Sequence, residues 1–355
     1  MSAAQHSRWV VPMLAAALVY LGWRARRRPS RQNSLADAEA SLLAGRCSPR
    51  LVAALPSEVR GRRWYPQVLV SDLSSSFTLP EGSRLLGLHL GCMDHPPESL
   101  VMLRSLADGW EVDARILLKR YARYSLLAFG WLPAFEAGSR ALLIGLGAGS
   151  LAHYWLSCAP GGAELRVDAV ELDGAVVRAA REHMGLRSVE ADGHVRVHVA
   201  DAQDFLREVE EEAYDLVFCD LDIGVLLPHD AEAGASKKTV QEIKCAKRAN
   251  ADDPPRSMYR SLTMRGVLVL NEYSEESPSV RLQQLVSCVR SLRRFFPEVH
   301  VLRPTDQNTL YFAPVARSSS PDTFLRDIAQ RLQLPGVDFQ SLLADLPPHR
   351  CQVYS

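Results

Sequence analysis

Three closely spaced glycines are the strongest chemical feature of the sequence. Gly145, Gly147 and Gly149 follow an apolar run over residues 141–144 and precede a segment with helical spacing. Glycine lets a backbone approach a ligand closely, and the start of a helix offers free N–H donors. This GxGxG run predicts a ligand-binding turn between a strand and a helix. Taken alone, the same spacing is also compatible with a dinucleotide fold or with a tight turn that binds nothing.

Acidic residues follow the next three apolar runs along the chain. Glu171 stands where a carboxylate can accept hydrogen bonds from both hydroxyls of a ribose. Asp201, with Ala202 directly after it, suits a position beside the amine of an adenine, and Asp220 follows the third run. Ligands of open α/β sheets bind outside the carboxyl ends of the strands. We therefore expect these residues and the glycines to surround one pocket.

The glycine run lacks the features of a phosphate cradle. Dinucleotide-binding turns prefer GxGxxG, whereas the third glycine here comes one place early, and residues 142–150 contain no Lys or Arg. A sulfonium nucleoside needs no pyrophosphate cradle. The pattern thus favours S-adenosylmethionine, or its decarboxylated form, over NAD.

Strands and helices alternate from residue 140, which predicts an α/β fold with a Rossmann-like parallel sheet and helices on both faces. The predicted strands cover 141–145, 165–170, 195–199, 214–219 and 266–270, and the predicted helices cover 150–157, 175–183, 202–209, 258–262 and 280–296. Residues 299–302 and 309–312 are expected to close the sheet as an antiparallel pair. The charged stretch 229–256 interrupts this rhythm and suits either a substrate lid or a solvated insertion.

The remaining segments divide the chain around that domain, which we place at residues 116–315. Residues 61–115 alternate short apolar runs with turn signals and predict a small β-rich lead-in. A helix is expected over 113–132. Residues 29–60 read as a linker with one short helix at 35–43, and residues 316–355 as a C-terminal tail with an amphipathic segment at 324–332.

An uncharged apolar run of 15 residues lies near the N-terminus, between Trp9 and Trp23, and an arginine cluster follows at 24–28. Flanking tryptophans suit a membrane interface, but a spanning helix needs about 20 apolar residues. Residues 1–28 are therefore expected to be a membrane anchor or a targeting segment. Mitochondrial outer-membrane anchors and matrix presequences both fit, as does another intracellular membrane with the domain in the cytosol. A cleaved secretory signal or a buried helix remains open.

Charge and cysteine content exclude several classes of protein. The chain has 41 Lys and Arg against 41 Asp and Glu, so no global basic field indicates a nucleic-acid partner. Its seven cysteines are scattered and form no CxxC pair. We therefore expect reduced thiols, without a disulfide framework or a zinc site.

Residues 116–315 resemble the spermidine-synthase-like branch of the class I methyltransferases. They look most like the C-terminal domains of methyltransferase-like proteins that act on elongation factor 1-alpha, at its lysines and its N-terminus. The strings that carry the resemblance are LLIGLGAGSL (142–151), VDAVELD (167–173), VRVHVADAQDFL (195–206), YDLVFCDLD (214–222) and GVLVLNEYS (266–274).

The resemblance implies an S-adenosylmethionine-dependent enzyme that methylates an amine, with a protein more expected than a small molecule as the acceptor. Gly145, Gly147, Gly149, Glu171, Asp201 and Ala202 would bind the cofactor. Asp220 would be the catalytic residue that orients the amine or accepts its proton. Asp222 and Asn271 are further candidates for the acceptor side.

Two departures separate the chain from true spermidine synthases. Their Asp-Ser-Ser-Asp-Pro string is replaced by residues 220–224, which read DLDIG. Their polyamine-binding Tyr-Gln-Glu string is replaced by residues 119–125, which read KRYARYS and would repel a polyamine cation. Aminopropyl transfer is therefore an alternative, as is a catalytically idle scaffold tethered to a membrane.

Deleting residues 1–28 should release a soluble protein that still binds S-adenosylmethionine, because the expected core begins much later in the chain. Fractionation of cells that express both forms, followed by a binding assay on the purified truncation, measures this. A truncated chain that fails to fold would show instead that residues 9–23 belong to the core.

Overall fold

The computed structural model places the chain in two main sheets. The residues that it describes are 33–34, 38–59, 65–107, 109–132, 138–158, 165–221, 254–274, 276–317, 334, 337–338, 340 and 350–354. The predicted anchor at 9–23, residues 222–253 with Asp222, and the predicted helix at 324–332 lie outside these ranges. Within the described ranges no helix is long and apolar enough to cross a membrane.

The first part of the chain forms mostly strands. The elements are β1 (Asn33–Ser34), α1 (Ala38–Leu43), β2 (Arg50–Pro56), β3 (Gln67–Asp72), a 3-10 turn (Ser74–Ser76), β4 (Phe77–Thr78), β5 (Ser83–Leu90), β6 (Ser99–Leu106) and β7 (Gly109–Val112). Five of these strands form an antiparallel sheet in the order β2-β3-β5-β6-β7, which we call the first sheet.

The first sheet begins earlier than the sequence pattern indicated. Strand β2 lies inside residues 29–60, the range expected to be a linker, and it pairs antiparallel with β3 from Arg50 opposite Asp72 to Pro56 opposite Gln67. The sequence RLVAALP shows no alternation of apolar and polar residues, since β2 is a largely exposed edge strand. Its strand pairing therefore left no periodic signal.

The second part of the chain alternates helices and strands. The elements are α2 (Arg120–Ser125), a 3-10 helix (Leu126–Gly130), β8 (Arg140–Ile144), α3 (Ser150–Cys158), β9 (Arg166–Glu171), α4 (Gly174–His183), α5 (Leu186–Ala191), β10 (Val195–Val199), α6 (Ala202–Glu208), β11 (Tyr214–Cys219), α7 (Pro254–Ser261), β12 (Leu262–Tyr273), α8 (Pro278–Leu292), β13 (Val299–Leu302), β14 (Asn308–Pro314) and β15 (Cys351–Tyr354).

These strands form one eight-stranded sheet in the order β10-β9-β8-β11-β12-β14-β13-β15. The five strands from β10 to β12 are parallel, so their carboxyl ends meet at one edge. Strand β14 is antiparallel to β13, as the sequence predicted, and it is also antiparallel to β12. The order reverses at β8, and such a switch point is where open α/β sheets bind ligands. The α/β prediction is confirmed, and β15 adds an edge strand from the C-terminal tail.

The predicted helix over 113–132 is wrong in its first third. Residue Asp113 makes a turn instead, because its carboxylate accepts a hydrogen bond from the Arg115 backbone N–H at 3.3 Å and its carbonyl accepts one from Ile116 at 3.0 Å. Short polar side chains compete in this way with helical bonding. The α-helix begins only at Arg120 and tightens into a 3-10 helix after Ser125.

Apolar packing joins the two sheets. Val68, Leu86, Val101 and other side chains on one face of the first sheet form a single buried cluster with Ala148, at the glycine turn, and with the apolar side of α4. Burial of this kind contributes roughly 25 cal/mol for each Å² of apolar surface removed from water. The first sheet is therefore packed directly against the elements that carry the predicted site.

Two buried histidines give the stability of this assembly a defined pH dependence. Burial lowers the pKa of His89 to about 4, and burial likewise lowers the pKa of His153 to about 4 against a small opposing effect of Glu111. Below about pH 6.5 the unfolded chain binds protons that the folded chain does not take up until about pH 4. We expect the contribution of these two histidines to the free energy of unfolding to be flat above about pH 6.5 and to fall by up to about 3 kcal/mol per histidine towards pH 4.

Denaturant titrations at pH 7, 6 and 5 test this expectation. His153→Leu should reduce the loss of stability on acidification, whereas His194→Gln, at a partly exposed turn, should leave it unchanged. Equal pH profiles for His153→Leu and the unaltered protein would contradict the assignment to His153.

Candidate active site

The glycine turn between β8 and α3 depends on backbone conformations that favour glycine. Gly145, Gly147 and Gly149 have φ angles of +91°, +54° and +76°. At Gly145 a Cβ atom would lie 2.7 Å from the backbone oxygen of Asp220, which leaves no room for a side chain. The absence of a side chain thus lets the turn and the end of β11 come into direct contact.

Most N–H groups of the turn donate to acceptors inside the protein. Gly145 donates to the Val170 carbonyl at 2.9 Å and Gly149 donates to the Leu146 carbonyl at 3.0 Å. Leu146 donates to Oε2 of Glu171 at 3.1 Å, and Ala148 donates to the hydroxyl of Ser99 at 3.0 Å. A turn whose amides are used in this way has little capacity left to cradle a phosphate.

Glu171 lies at the end of β9 with its carboxylate against the turn. Its second oxygen accepts a hydrogen bond from the Asp173 backbone N–H at 3.0 Å. Burial raises the pKa of Glu171, and the amide donors from Asp173 and Leu146 oppose that effect. Because a carboxylate has about four lone-pair sites, it can also accept a hydrogen bond from a hydroxyl group of a ligand.

Asp201 lies in the loop after β10 and caps helix α6. Its carboxylate accepts a hydrogen bond from the Gln203 backbone N–H at 2.8 Å, as an N-cap residue does. Ala202 begins the helix and is almost fully buried. At the same edge of the sheet, the side chains of Leu172 and Val199 are 37% and 56% exposed. Apolar surface is therefore available beside the acidic residues.

Asp220 follows β11 and is held by two donors from different elements. The hydroxyl of Tyr121 donates to Oδ2 and the amide of Asn271 donates to Oδ1, both at 2.7 Å. Asn271 is itself fixed, since its oxygen accepts a hydrogen bond from the Asn308 amide at 3.2 Å. Burial raises the pKa of Asp220, while the bonds from Asn271 and Tyr121 and the positive charge of Lys119 oppose it.

The residues predicted from sequence therefore lie along one edge of the sheet. The register pairs Ile144, before the glycine turn, with Val170 and Cys219, which precede Glu171 and Asp220. The Ala200 N–H donates to the Glu171 carbonyl at 3.0 Å, which joins the Asp201 loop to the same edge. The described residues contain no group of His, Cys, Asp or Glu that could hold a metal ion.

Three residues that contact the site belong to no motif that the sequence pattern indicates. Tyr121 lies in the string KRYARYS, and Asn308 and Ser99 lie outside the glycine run and the acidic strand ends. Ser99 belongs to a different sheet and stands 49 positions before Ala148. No spacing pattern indicates such a contact, because it arises only when the two sheets pack together.

The chain shares its fold with the solved structure of a probable spermidine synthase. Neither a protein-family model nor a curated protein sequence matches it. Among solved structures, a probable spermidine synthase from Corynebacterium glutamicum has 16% identity and a TM-score of 0.52, over 81% of this chain and 89% of that one. Human methyltransferase-like protein 13 in complex with SAH has 20% identity and a TM-score of 0.43, over 64% and 94%. Spermidine synthase from Thermotoga maritima has 14% identity and a TM-score of 0.47, over 84% and 86%.

Gly147→Val should destabilise the protein more than a valine at a comparable glycine elsewhere. A Cβ at Gly147 would lie 3.0 Å from both Cβ and Oγ of Ser99, whereas a Cβ at Gly193, with φ of +74°, would meet nothing within 4 Å. Gly193→Val therefore measures the backbone strain alone. We expect an additional loss of about 1–3 kcal/mol for Gly147→Val in denaturant unfolding. Equal losses would mean that the contact with Ser99 is not tight.

Proposed function

We propose that the protein is an S-adenosylmethionine-dependent methyltransferase that acts on an amine carried by a protein. The observation that carries this proposal is the position of Asp220, a carboxylate held by Tyr121 and Asn271 directly beside a glycine turn. Such a group can bind an amine and take up its proton next to a bound nucleoside. The fold shared with a probable spermidine synthase supports the proposal at the level of architecture alone.

The polar groups of the turn suit a nucleoside without phosphates. Glu171 has acceptor sites for the ribose hydroxyls, and the carboxylate of Asp201 has one for the adenine amine. The exposed side chains of Leu172 and Val199 provide apolar surface for the faces of a purine. The amides of Leu146 and Ala148 already have acceptors, which disfavours a pyrophosphate group.

When bound, S-adenosylmethionine supplies an electrophilic methyl group on a positively charged sulfur. A protonated amine has no free electron pair, so the acceptor must lose a proton before its nitrogen attacks the methyl carbon. Burial raises the pKa of Asp220, which brings its carboxylate closer to the range where it can accept that proton. Tyr121 and Asn271 fix the orientation of the carboxylate and so position the nitrogen for in-line attack.

Methyl transfer is favoured over aminopropyl transfer by the charges around Asp220. The positive charge of Lys119 lowers the pKa of Asp220, so the surroundings of this carboxylate are not purely acidic. A polyamine carries several positive charges and would be repelled there. A single amine on a protein side chain or N-terminus brings only one charge, and it loses that charge before transfer.

We further propose that residues 1–28 attach the enzyme to a mitochondrial membrane or direct it to the matrix. The apolar run at 9–23 and the arginines after it support this location. The acceptor would then be a protein that is accessible from that membrane or compartment.

Incubation of the purified chain with labelled S-adenosylmethionine and fractionated cell extract tests the proposed reaction. We expect label in the protein fractions. After acid hydrolysis of the protein, the label should be recovered in methylated amines. A parallel reaction with decarboxylated S-adenosylmethionine and putrescine tests the alternative. Formation of spermidine in that reaction would show that the enzyme transfers an aminopropyl group, and the proposal of methyl transfer would then be wrong.

Asp220→Asn and Glu171→Ala should have opposite effects on binding and turnover. Asp220→Asn should leave the affinity for S-adenosylmethionine nearly intact and lower turnover by about a hundred-fold to ten-thousand-fold, as loss of a general base does. Glu171→Ala should weaken cofactor binding, because each lost hydrogen bond contributes on the order of 1 kcal/mol.

Calorimetry with S-adenosylmethionine and a turnover assay on both variants provide the measurement. Asp204→Asn is the matched control, since Asp204 is an exposed residue of α6 whose carboxylate pairs with Arg207. Equal loss of cofactor affinity in Asp220→Asn and Glu171→Ala would mean that Asp220 binds the cofactor, and it would contradict the catalytic role proposed for Asp220.

A further inference from the structure

Ser99 connects the first sheet to the glycine turn. It is the first residue of β6, and its hydroxyl accepts a hydrogen bond from the Ala148 N–H at 3.0 Å. Ala148 is fully buried, and a Cβ at Gly147 would come within 3.0 Å of Ser99. Ser99 therefore fills the space above the middle of the turn.

A second polar contact joins the first sheet to the neighbouring strand end. Residues directly after β2 reach Asp173, where the Ser57 hydroxyl donates at 2.6 Å and the Glu58 N–H donates at 3.0 Å. Asp173 is fully buried, and its own N–H donates to Glu171 at 3.0 Å. The first sheet thus contacts both the glycine turn and the support of the residue that would bind the ribose.

The contact at Ser99 has a consequence for the ligands that the turn can accept. A free N–H group just before a helix, together with the helix dipole, attracts phosphate groups. Here the Ala148 N–H is directed to the neutral Ser99 hydroxyl, and the Leu146 N–H to the Glu171 carboxylate. A phosphate at this turn would have to displace Ser99 and would lie close to a carboxylate.

We propose that Ser99 is a positioning residue that sets the ligand specificity of the glycine turn. By accepting the Ala148 hydrogen bond and occupying the space beside Gly147, it holds the turn in the form that suits a phosphate-free nucleoside and excludes phosphate-bearing nucleotides. The proposal deepens the proposed function and rests on it, since the favoured ligand is S-adenosylmethionine.

Binding measurements on the full chain with two probes, S-adenosylmethionine and ADP, test this proposal. The variants are Ser99→Ala and Ser99→Gly, which remove the acceptor, and Ser99→Thr, which keeps a hydroxyl. Ser105→Ala is the control, because Ser105 is an exposed residue of the same strand. Thermal unfolding of each variant identifies any that fails to fold.

We expect Ser99→Ala to weaken S-adenosylmethionine binding by about tenfold, because the buried Ala148 N–H loses its acceptor. In Ser99→Gly the vacated space should allow ADP to bind at least about tenfold more tightly than in the unaltered protein. Ser99→Thr should restore most of the S-adenosylmethionine affinity that Ser99→Ala loses. Ser105→Ala should match the unaltered protein with both probes.

The ratio of the two affinities separates specificity from a merely structural role. A loss of packing alone would weaken both ligands together, and that result would overturn the proposal. Unchanged S-adenosylmethionine binding in Ser99→Ala and Ser99→Gly would also overturn it while leaving the proposed function intact. If the unaltered protein binds no S-adenosylmethionine, the proposed function itself fails, and the role of Ser99 fails with it.

Discussion

The close approach of two backbones at Gly145 is the constraint on which the candidate site depends. A Cβ there would lie 2.7 Å from the Asp220 carbonyl oxygen, and the Asp220 N–H donates to the Ile144 carbonyl at 2.8 Å. The end of β11 and the glycine turn are therefore in direct contact through their backbone atoms. Any larger residue at Gly145 would separate the turn from the carboxylate that we assign to the reaction.

Around that contact, Glu171 and Asp220 are each oriented by donors from more than one element. Glu171 is held by amides of the turn and of the α4 N-terminus, and Asp220 by a helix residue and a strand residue. Burial raises the pKa of Glu171 and of Asp220, while their hydrogen bonds stabilise the charged form. The balance keeps these groups available as acceptors at defined positions, which suits binding of a nucleoside and of an amine.

The first sheet supports the candidate site through both apolar and polar contacts. Its apolar face shares a buried cluster with α4 and Ala148, while Ser57 and Ser99 make polar contacts at the two strand ends that form the predicted pocket. Loss of this packing would remove support from the glycine turn and from Glu171 together. The stability of the interface and the ligand specificity of the turn are therefore coupled through the same few residues.

Periodicity in the sequence determined the alternation of strands and helices, the antiparallel closure at β13 and β14, and the placement of Glu171, Asp201 and Asp220 after parallel strands. These features depend on local hydrophobic spacing and on glycine, which act over a few residues. Tertiary structure alone decided the strand at Arg50–Pro56 and the contact between Ser99 and Ala148, whereas the turn at Asp113 in place of a helix arises from local hydrogen bonds. An edge strand has little burial to impose a pattern, and a short polar side chain can redirect local hydrogen bonds. A partner 49 positions away is selected only when the first sheet packs against α4 and the glycine turn.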